Sequence, residues 1–134
     1  MPDKKTSLSP LETDVIQVIW DRGSATAAEV RRALEPSRPL KESTVRTLLR
    51  RIETKGFLEH RVDGRTYVYR PVVPRHQAAA RAVRQIIDRF CGGSVEALLV
   101  GMVNDDILDE NEIEKLADRL RREAGEKQEE TDED

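Results

Sequence analysis

The sequence predicts a mainly α-helical protein with one small β-hairpin, arranged as a winged helix-turn-helix followed by a C-terminal helical arm. Three observations carry this expectation. Three amphipathic segments lie between Ser9 and Lys55, the first two opened by helix-start signals, two β-prone runs around Asp63-Gly64 follow at once, and helical periodicity resumes after Pro74. Three helices and then a tight hairpin is the element order of a helix-turn-helix carrying a β wing. A generic α+β domain shares that order, so the residues on each element must decide.

"SPLE" at Ser9–Glu12 is a strong helix start: Ser9 caps, Pro10 suits the first helical position and Glu12 completes a capping box. Leu11, Val15, Ile16, Val18 and Ile19 form its apolar stripe, which ends near Gly23. A second capping box, Thr26–Glu29, opens a short helix whose inner face is expected at Val30, Ala33 and Leu34, broken by Pro36–Pro39. The third helix is expected over Lys41 to Lys55, with Gly56 as a left-handed cap. Strands Phe57–Val62 and Arg65–Pro71 then flank Asp63-Gly64, the strongest short hairpin signal. Tyr67 and Tyr69 share one strand face; such rings can stack on bases, but core packing is expected of at least one of them.

Beyond Pro74, Val83, Ile86, Ile87 and Phe90 line a helical stripe that ends at Cys91-Gly92-Gly93. Ser94 caps a further helix carrying Val95, Leu98, Leu99 and Met102, and Asp109–Glu112 forms a capping box leading to Ile113, Leu116 and Leu120. After Gly125 the tail has no apolar residue and is expected to be disordered. The expected organisation is therefore a winged-helix domain over 1–75, a helical domain over 76–124 and an acidic tail over 125–134.

The 134 residues suffice for one compact domain with an appendage, and a composition of 37% hydrophobic and 37% charged residues does not fit a deeply buried enzyme interior. No apolar run approaches the roughly 20 residues that span a bilayer. The opening "MPDKKTSLSP" has no apolar segment behind its lysines, so no secretory signal and a cytoplasmic location are expected. The single cysteine, Cys91, excludes an internal disulfide framework. The net charge of −3 conceals a split: residues 1–75 hold 15 Lys and Arg against 10 Asp and Glu, whereas residues 76–134 hold 8 against 16. The first half is suited to an anionic partner and the second to another task.

The third helix names that partner. With one residue per 100°, Val45, Leu48, Leu49 and Ile52 form a buried stripe, and Ser43, Thr47, Arg50 and Thr54 fall opposite, flanked by Arg46 and Arg51. Hydroxyls and cations without an acid at the centre suit the DNA major groove, where Arg bonds a guanine edge and Thr methyls meet thymine methyls. Arg61 and Arg65 flank the hairpin tip, within reach of a phosphate or the adjacent minor groove. Lys4 and Lys5 suit either a nonspecific attraction to phosphate or simple solubility. An alternative is a winged-helix protein–protein interaction module whose basic ridge meets an acidic partner.

Other chemistries find little support. His60, His76 and Cys91 are scattered over a strand, a helix start and a helix end, so no metal site and no cofactor is expected. No nucleophile–base pairing, paired-carboxylate setting or phosphate loop occurs in a plausible context, and an enzyme is not expected. Gly92-Gly93 is a hinge or cap. The acidic run Asp105–Glu114 lacks the ligand spacing and central glycine of a calcium loop.

Three blocks, "LSPLETDVIQVIWDRGSATAAEV", "STVRTLLRRIETKGFLEHRVDGRTYVYRPVV" and "FCGGSVEALLVGMVNDDILDENEIEKLADRL", together resemble the BlaI/MecI/CopY family of bacterial repressors, from about Leu8 to Leu120. The resemblance implies a homodimer that binds a palindromic double-stranded DNA operator and blocks transcription. It assigns Ser43, Arg46, Thr47 and Arg50 as base-reading contacts, with Thr44 at the helix edge and Arg51 beside them. It also makes the C-terminal helices a dimerisation arm, with Leu98, Leu99, Met102, Ile113, Leu116 and Leu120 as its contacts. Copper-responsive members carry a pair of Cys-x-Cys motifs that this chain lacks. Antibiotic-responsive members are released when a sensor-linked protease cuts an Asn-Phe bond in the first dimerisation helix. The corresponding place here is Gly101-Met102, without that dipeptide, and the inducing signal is open.

Overall fold

A computed structural model describes residues 7–132, with side chains to Gln128. Lys4, Lys5, Glu133 and Asp134 lie outside the described residues. The chain divides into two compact units, one ending at Gln85 and one beginning at Ile86.

The first unit contains α1 (Pro10–Arg22), β1 (Ala25–Thr26), α2 (Ala27–Leu34), α3 (Glu42–Thr54), β2 (Leu58–Asp63), β3 (Thr66–Pro71) and the first part of α4 (Arg75–Phe90). Both expected capping boxes form. The Ser9 hydroxyl accepts from the Glu12 amide at 3.1 Å while Glu12 accepts from the Ser9 amide at 2.8 Å, and Thr26 and Glu29 repeat the exchange at 3.2 and 3.0 Å. Val15, Ile16 and Ile19 of α1, Val30 of α2 and Val45, Leu49 and Ile52 of α3 meet in a fully buried core, closed below by Phe57, Leu58, Tyr69 and Val73. Trp20 packs against this cluster and its indole Nε1 donates to the Val73 carbonyl at 3.0 Å.

The end of α3 is set by Gly56, whose φ of +89° lies in the left-handed region open to glycine. The Gly56 amide donates to the Glu53 carbonyl at 2.9 Å and the Phe57 amide to the Ile52 carbonyl at 3.2 Å. These are the two bonds of a Schellman motif, and the buried Phe57 ring that follows supplies its apolar contact.

The sheet is antiparallel with strand order β1-β3-β2. Its first strand escaped the sequence reading, because two residues that pair Ala25 with Tyr69 and Thr26 with Val68 are too few to leave a periodic signal. The hairpin turn also differs from expectation by one residue. Asp63 pairs with Thr66 as the last strand residue, and the two-residue loop is Gly64-Arg65. Gly64 has φ +67° and Arg65 does not enter the left-handed region, the pattern of a turn that places glycine first. Ala33 is exposed rather than on the inner face of α2, so Val30 and Leu34 anchor that helix, with Ala27 packed beside them.

The second unit contains the remainder of α4, α5 (Val95–Asn104) and α6 (Glu110–Asp132). Ser94 caps α5 through a 3.1 Å bond from the Ala97 amide, and Asp109 and Glu112 form the expected capping box at the head of α6. Helix α6 continues through Asp132, where a disordered tail is expected from residue 125 onward. Glu, Lys and Gln dominate this stretch and have high helix propensity, so an ongoing helix extends past Gly125 without any apolar partner. Among the described residues no helix is long and apolar enough to cross a membrane.

One buried ion pair ties the start of α1 to the end of α3. Glu12 is 3% exposed and its Oε1 accepts from Lys55 Nζ at 2.6 Å, while the same ammonium donates to the Ser7 carbonyl at 2.8 Å. Burial raises the Glu12 pKa, but the bonds from Lys55 and Ser9 outweigh it and hold the carboxyl below its usual range. A lowered folded-state value means that the carboxylate's contribution is complete above the unfolded carboxylate range and is lost as pH falls through the folded value. Glu12→Gln is therefore expected to lower unfolding free energy by about 2 kcal/mol near neutrality. Urea denaturation at several pH values should show mutant and parent converging in acid.

Candidate nucleic-acid interface

Helix α3 buries Val45, Leu48, Leu49 and Ile52 and exposes Ser43, Arg46, Thr47, Arg50, Arg51 and Thr54, the two faces expected from its periodicity. Thr44 is half-buried at the boundary between them. A helix that gives its whole apolar stripe to the core has its opposite ridge free for a partner.

The hydroxyls on that ridge are already directed. Thr47 Oγ1 donates to the Ser43 carbonyl at 3.0 Å and Thr54 Oγ1 to the Arg50 carbonyl at 2.9 Å. With the donor engaged, each presents acceptor lone pairs and a methyl group, which suits an amino edge of cytosine or adenine and a thymine methyl. Arg46 pairs with Glu42 at 3.2 Å, an exposed i,i+4 contact worth a few tenths of a kcal/mol and easily exchanged for a stronger anion. Among the described residues, Arg50 and Arg51 make no ion pair.

Arg46, Arg50 and Arg65 come together along a groove of about 540 Å³ between α3, the start of α2 and the hairpin, where Glu42 is the one carboxylate among the described residues. Arg50 and Arg51 also border a shallower groove with Thr47 and Thr54. Arg61 does not join them: it pairs opposite Val68, on the strand face away from His60 and Tyr69. It is exposed there, as Arg65 is at the turn.

The groove also holds Tyr67, one of the two tyrosines of which core packing is expected for at least one. Tyr67 and Tyr69 share a face, yet Tyr69 is 3% exposed and Tyr67 47%, because Tyr67 sits two residues nearer the turn, beyond the helical layer. Its ring stacks on His60 at 4.1 Å with planes 10° apart, and His60 Nδ1 lies 2.7 Å from Glu53 Oε2 of α3. The hairpin is thereby linked to the exposed helix by a side-chain relay. Burial, with the nearby Glu53 carboxylate and against the pull of Arg50, raises the Tyr69 pKa, so its hydroxyl stays neutral.

The residues expected in the arm lie in the second unit. Leu98, Met102 and Ile113 are half-buried, whereas Leu99, Leu116 and Leu120 are exposed, and α5 buries no residue. Gly101 and Met102 are inside α5, not at its end. Among the described residues no group of three or more His, Cys, Asp or Glu side chains forms a potential metal site.

The chain is similar in sequence to known proteins. The sequence model of the family described as penicillinase repressor matches residues 8–122. The penicillinase repressor of Bacillus licheniformis is 28% identical over 126 residues, covering 94% of this chain and 98% of its own length. The methicillin resistance regulatory protein MecI of Mammaliicoccus sciuri is 25% identical over 122 residues, covering 91% and 99% respectively. The solution structure of the DNA binding domain of the repressor BlaI is 32% identical with a TM-score of 0.49, covering 56% of this chain and 92% of that domain.

The ridge should be separable from the fold. Arg50→Ala and Arg51→Ala are each expected to change folding stability by less than about 0.5 kcal/mol, as exposed cations without partners do. Chemical denaturation checks this; a larger loss would mean that the arginines hold the domain together.

Proposed function

The chain belongs to the penicillinase repressor family, and from that premise we propose that it is a DNA-binding transcriptional repressor that works as a homodimer on a palindromic operator. The observation that carries the DNA reading is the exposed ridge of α3, with Ser43, Thr47 and Arg50 opposite a fully buried stripe and Arg46 and Arg65 along the same groove. Inserted in a major groove, the ridge sets Arg50 and Arg46 against guanine edges, Ser43 and Thr47 against neighbouring bases, and Arg51 against phosphate. Thr44 lies at the edge of this contact. Arg65 at the hairpin tip and Arg61 on the outer strand face meet the backbone beside it.

Residues 1–75 serve as the winged-helix DNA-binding domain and residues 76–124 as the dimerisation domain, with the acidic stretch from 125 outside both. The dimer reading is supported by apolar side chains that a single chain leaves in water: Leu99 is 39% exposed, Leu116 51% and Leu120 54%, with Val100 also exposed. Leu98, Met102 and Ile113 border them, and a second copy would cover them by a two-fold contact that is mirrored in the operator. We assign the protein no enzymatic activity and place it in the cytoplasm with the DNA it regulates. Release by a sensor-linked protease at Gly101-Met102 would require α5 to open locally. Gly101 favours this, since a helix-interior glycine costs about 1 kcal/mol relative to alanine.

Gel shifts with genomic fragments over a salt series test the reading. Binding should weaken steeply with salt and keep a sequence preference; binding to an acidic protein instead of DNA would favour an interaction module. Arg50→Ala and Arg46→Ala are each expected to weaken operator binding by about 1–3 kcal/mol while binding to random DNA changes less. In sedimentation, both variants should keep the mass of the parent. Leu116→Asp is expected to give a monomer and to lose operator affinity indirectly; an intact dimer would remove α6 from the interface.

A further inference from the structure

The first unit contains a second cavity, of about 220 Å³, and none of its lining residues belongs to α3. The rings of Trp20 and Phe57 form its apolar surfaces, and Ala78 and Ala82, one helical turn apart on α4, leave the space open because their side chains stop at a methyl group. Two guanidinium groups stand at its rim. Arg75 lies 5.6 Å from the centroid of the Trp20 ring and pairs with Asp21 Oδ1 at 2.5 Å. Arg81 lies 5.6 Å from the centroid of the Phe57 ring and, among the described residues, pairs with no carboxylate. Among the described residues, no acidic side chain lines the cavity.

We propose that this slot is a binding site for a small planar aromatic monocarboxylate. Its size limits the ligand, since an apolar cavity of about 150 Å³ holds one benzene ring, and 220 Å³ therefore admits a single ring with one substituent. Two aromatic rings in the lining favour a flat ring over a branched aliphatic chain. The sign of the charge follows from Arg81, a forked donor that pairs with no carboxylate among the described residues and can bind both oxygens of one carboxylate. A second carboxylate has no place, because the charge of Arg75 is already matched by Asp21. An occupant would touch α1, the residue that ends the α3 cap and the first half of α4 together.

Trp20 is the only tryptophan in the chain and lines the slot, so its fluorescence reports occupancy directly and without DNA. The full chain is titrated with benzoate and with its neutral isostere benzamide, by Trp20 emission and by calorimetry. Benzoate is expected to bind saturably and at least about tenfold more tightly than benzamide, the difference expected of a charge-assisted fork. Arg81→Gln should bring benzoate down to the level of benzamide, Arg81→Lys should fall between, and Ala82→Leu should block both by filling the slot. Denaturation midpoints of the three variants establish that each is folded. No saturable response by either method, equal binding of benzamide, or unchanged binding in folded Ala82→Leu would overturn the proposal.

Discussion

The burial of one stripe of α3 is the constraint from which the rest of the first unit follows. Val45, Leu49 and Ile52 are fully excluded from water and Leu48 nearly so. Four such side chains, at about 1.5–3 kcal/mol each, fix the rotation of the helix about its axis far more firmly than any exposed contact can. Turning α3 by one residue would exchange a core leucine for an arginine. The polar ridge is therefore presented by the core, and its side chains do not have to hold their own helix in place. The Schellman cap at Gly56 completes this by turning the chain so that Phe57 and Leu58 enter the same core.

Two contacts then set the surroundings of the ridge. At its far end, Lys55 reaches back to Glu12 and the Ser7 carbonyl, so the helix that presents the ridge and the helix that opens the chain share one buried charge pair. At its flank, Glu53 holds His60, and His60 supports the ring of Tyr67 at the mouth of the groove. Buried pairs of the first kind contribute little beyond what apolar residues would, but they lose much when one partner is removed. They act as registers, fixing where one element sits on another. The exposed pairs, such as Arg46 with Glu42, have the opposite character and are free to exchange.

Helices and their caps were legible in the sequence because their signals are local. Ser9 with Glu12, Thr26 with Glu29 and Asp109 with Glu112 each announce a capping box within four residues, and all three form. The two faces of α3 were legible for the same reason, as a periodicity inside one element. What the sequence hid depends on pairing between elements. Strand β1 exists only because β3 lies beside it, and the exposure of Tyr67 against the burial of Tyr69 depends on where the helical layer ends. The relay from Glu53 to Tyr67 crosses from α3 to the hairpin, so no spacing along the chain marks it. The long α6 failed for another reason: an apolar stripe is a sign of packing, and a helix of Glu, Lys and Gln needs none.

The two units differ in how they satisfy their apolar residues, and that difference bears on assembly. The first has a core of fully buried aliphatics from three helices and a sheet. In the second, α5 buries nothing, although seven of its ten residues, VEALLVGMVN, are Val, Ala, Leu or Met. A helix hydrophobic nearly all round is stable in water only when other surfaces cover it. Charge patterning points the same way, since the acids of the second half are concentrated on α6 and beside α5, which itself holds only Glu96, in its first turn. In the dimer proposed above, like charges on two copies would stay at the rim while the leucines meet at the centre, the distribution seen in interfaces with an apolar core and a polar border. A repressor built this way would couple occupancy of two half-sites to the association of its chains. Loss of the apolar contact would then weaken DNA binding without touching a single residue of the ridge.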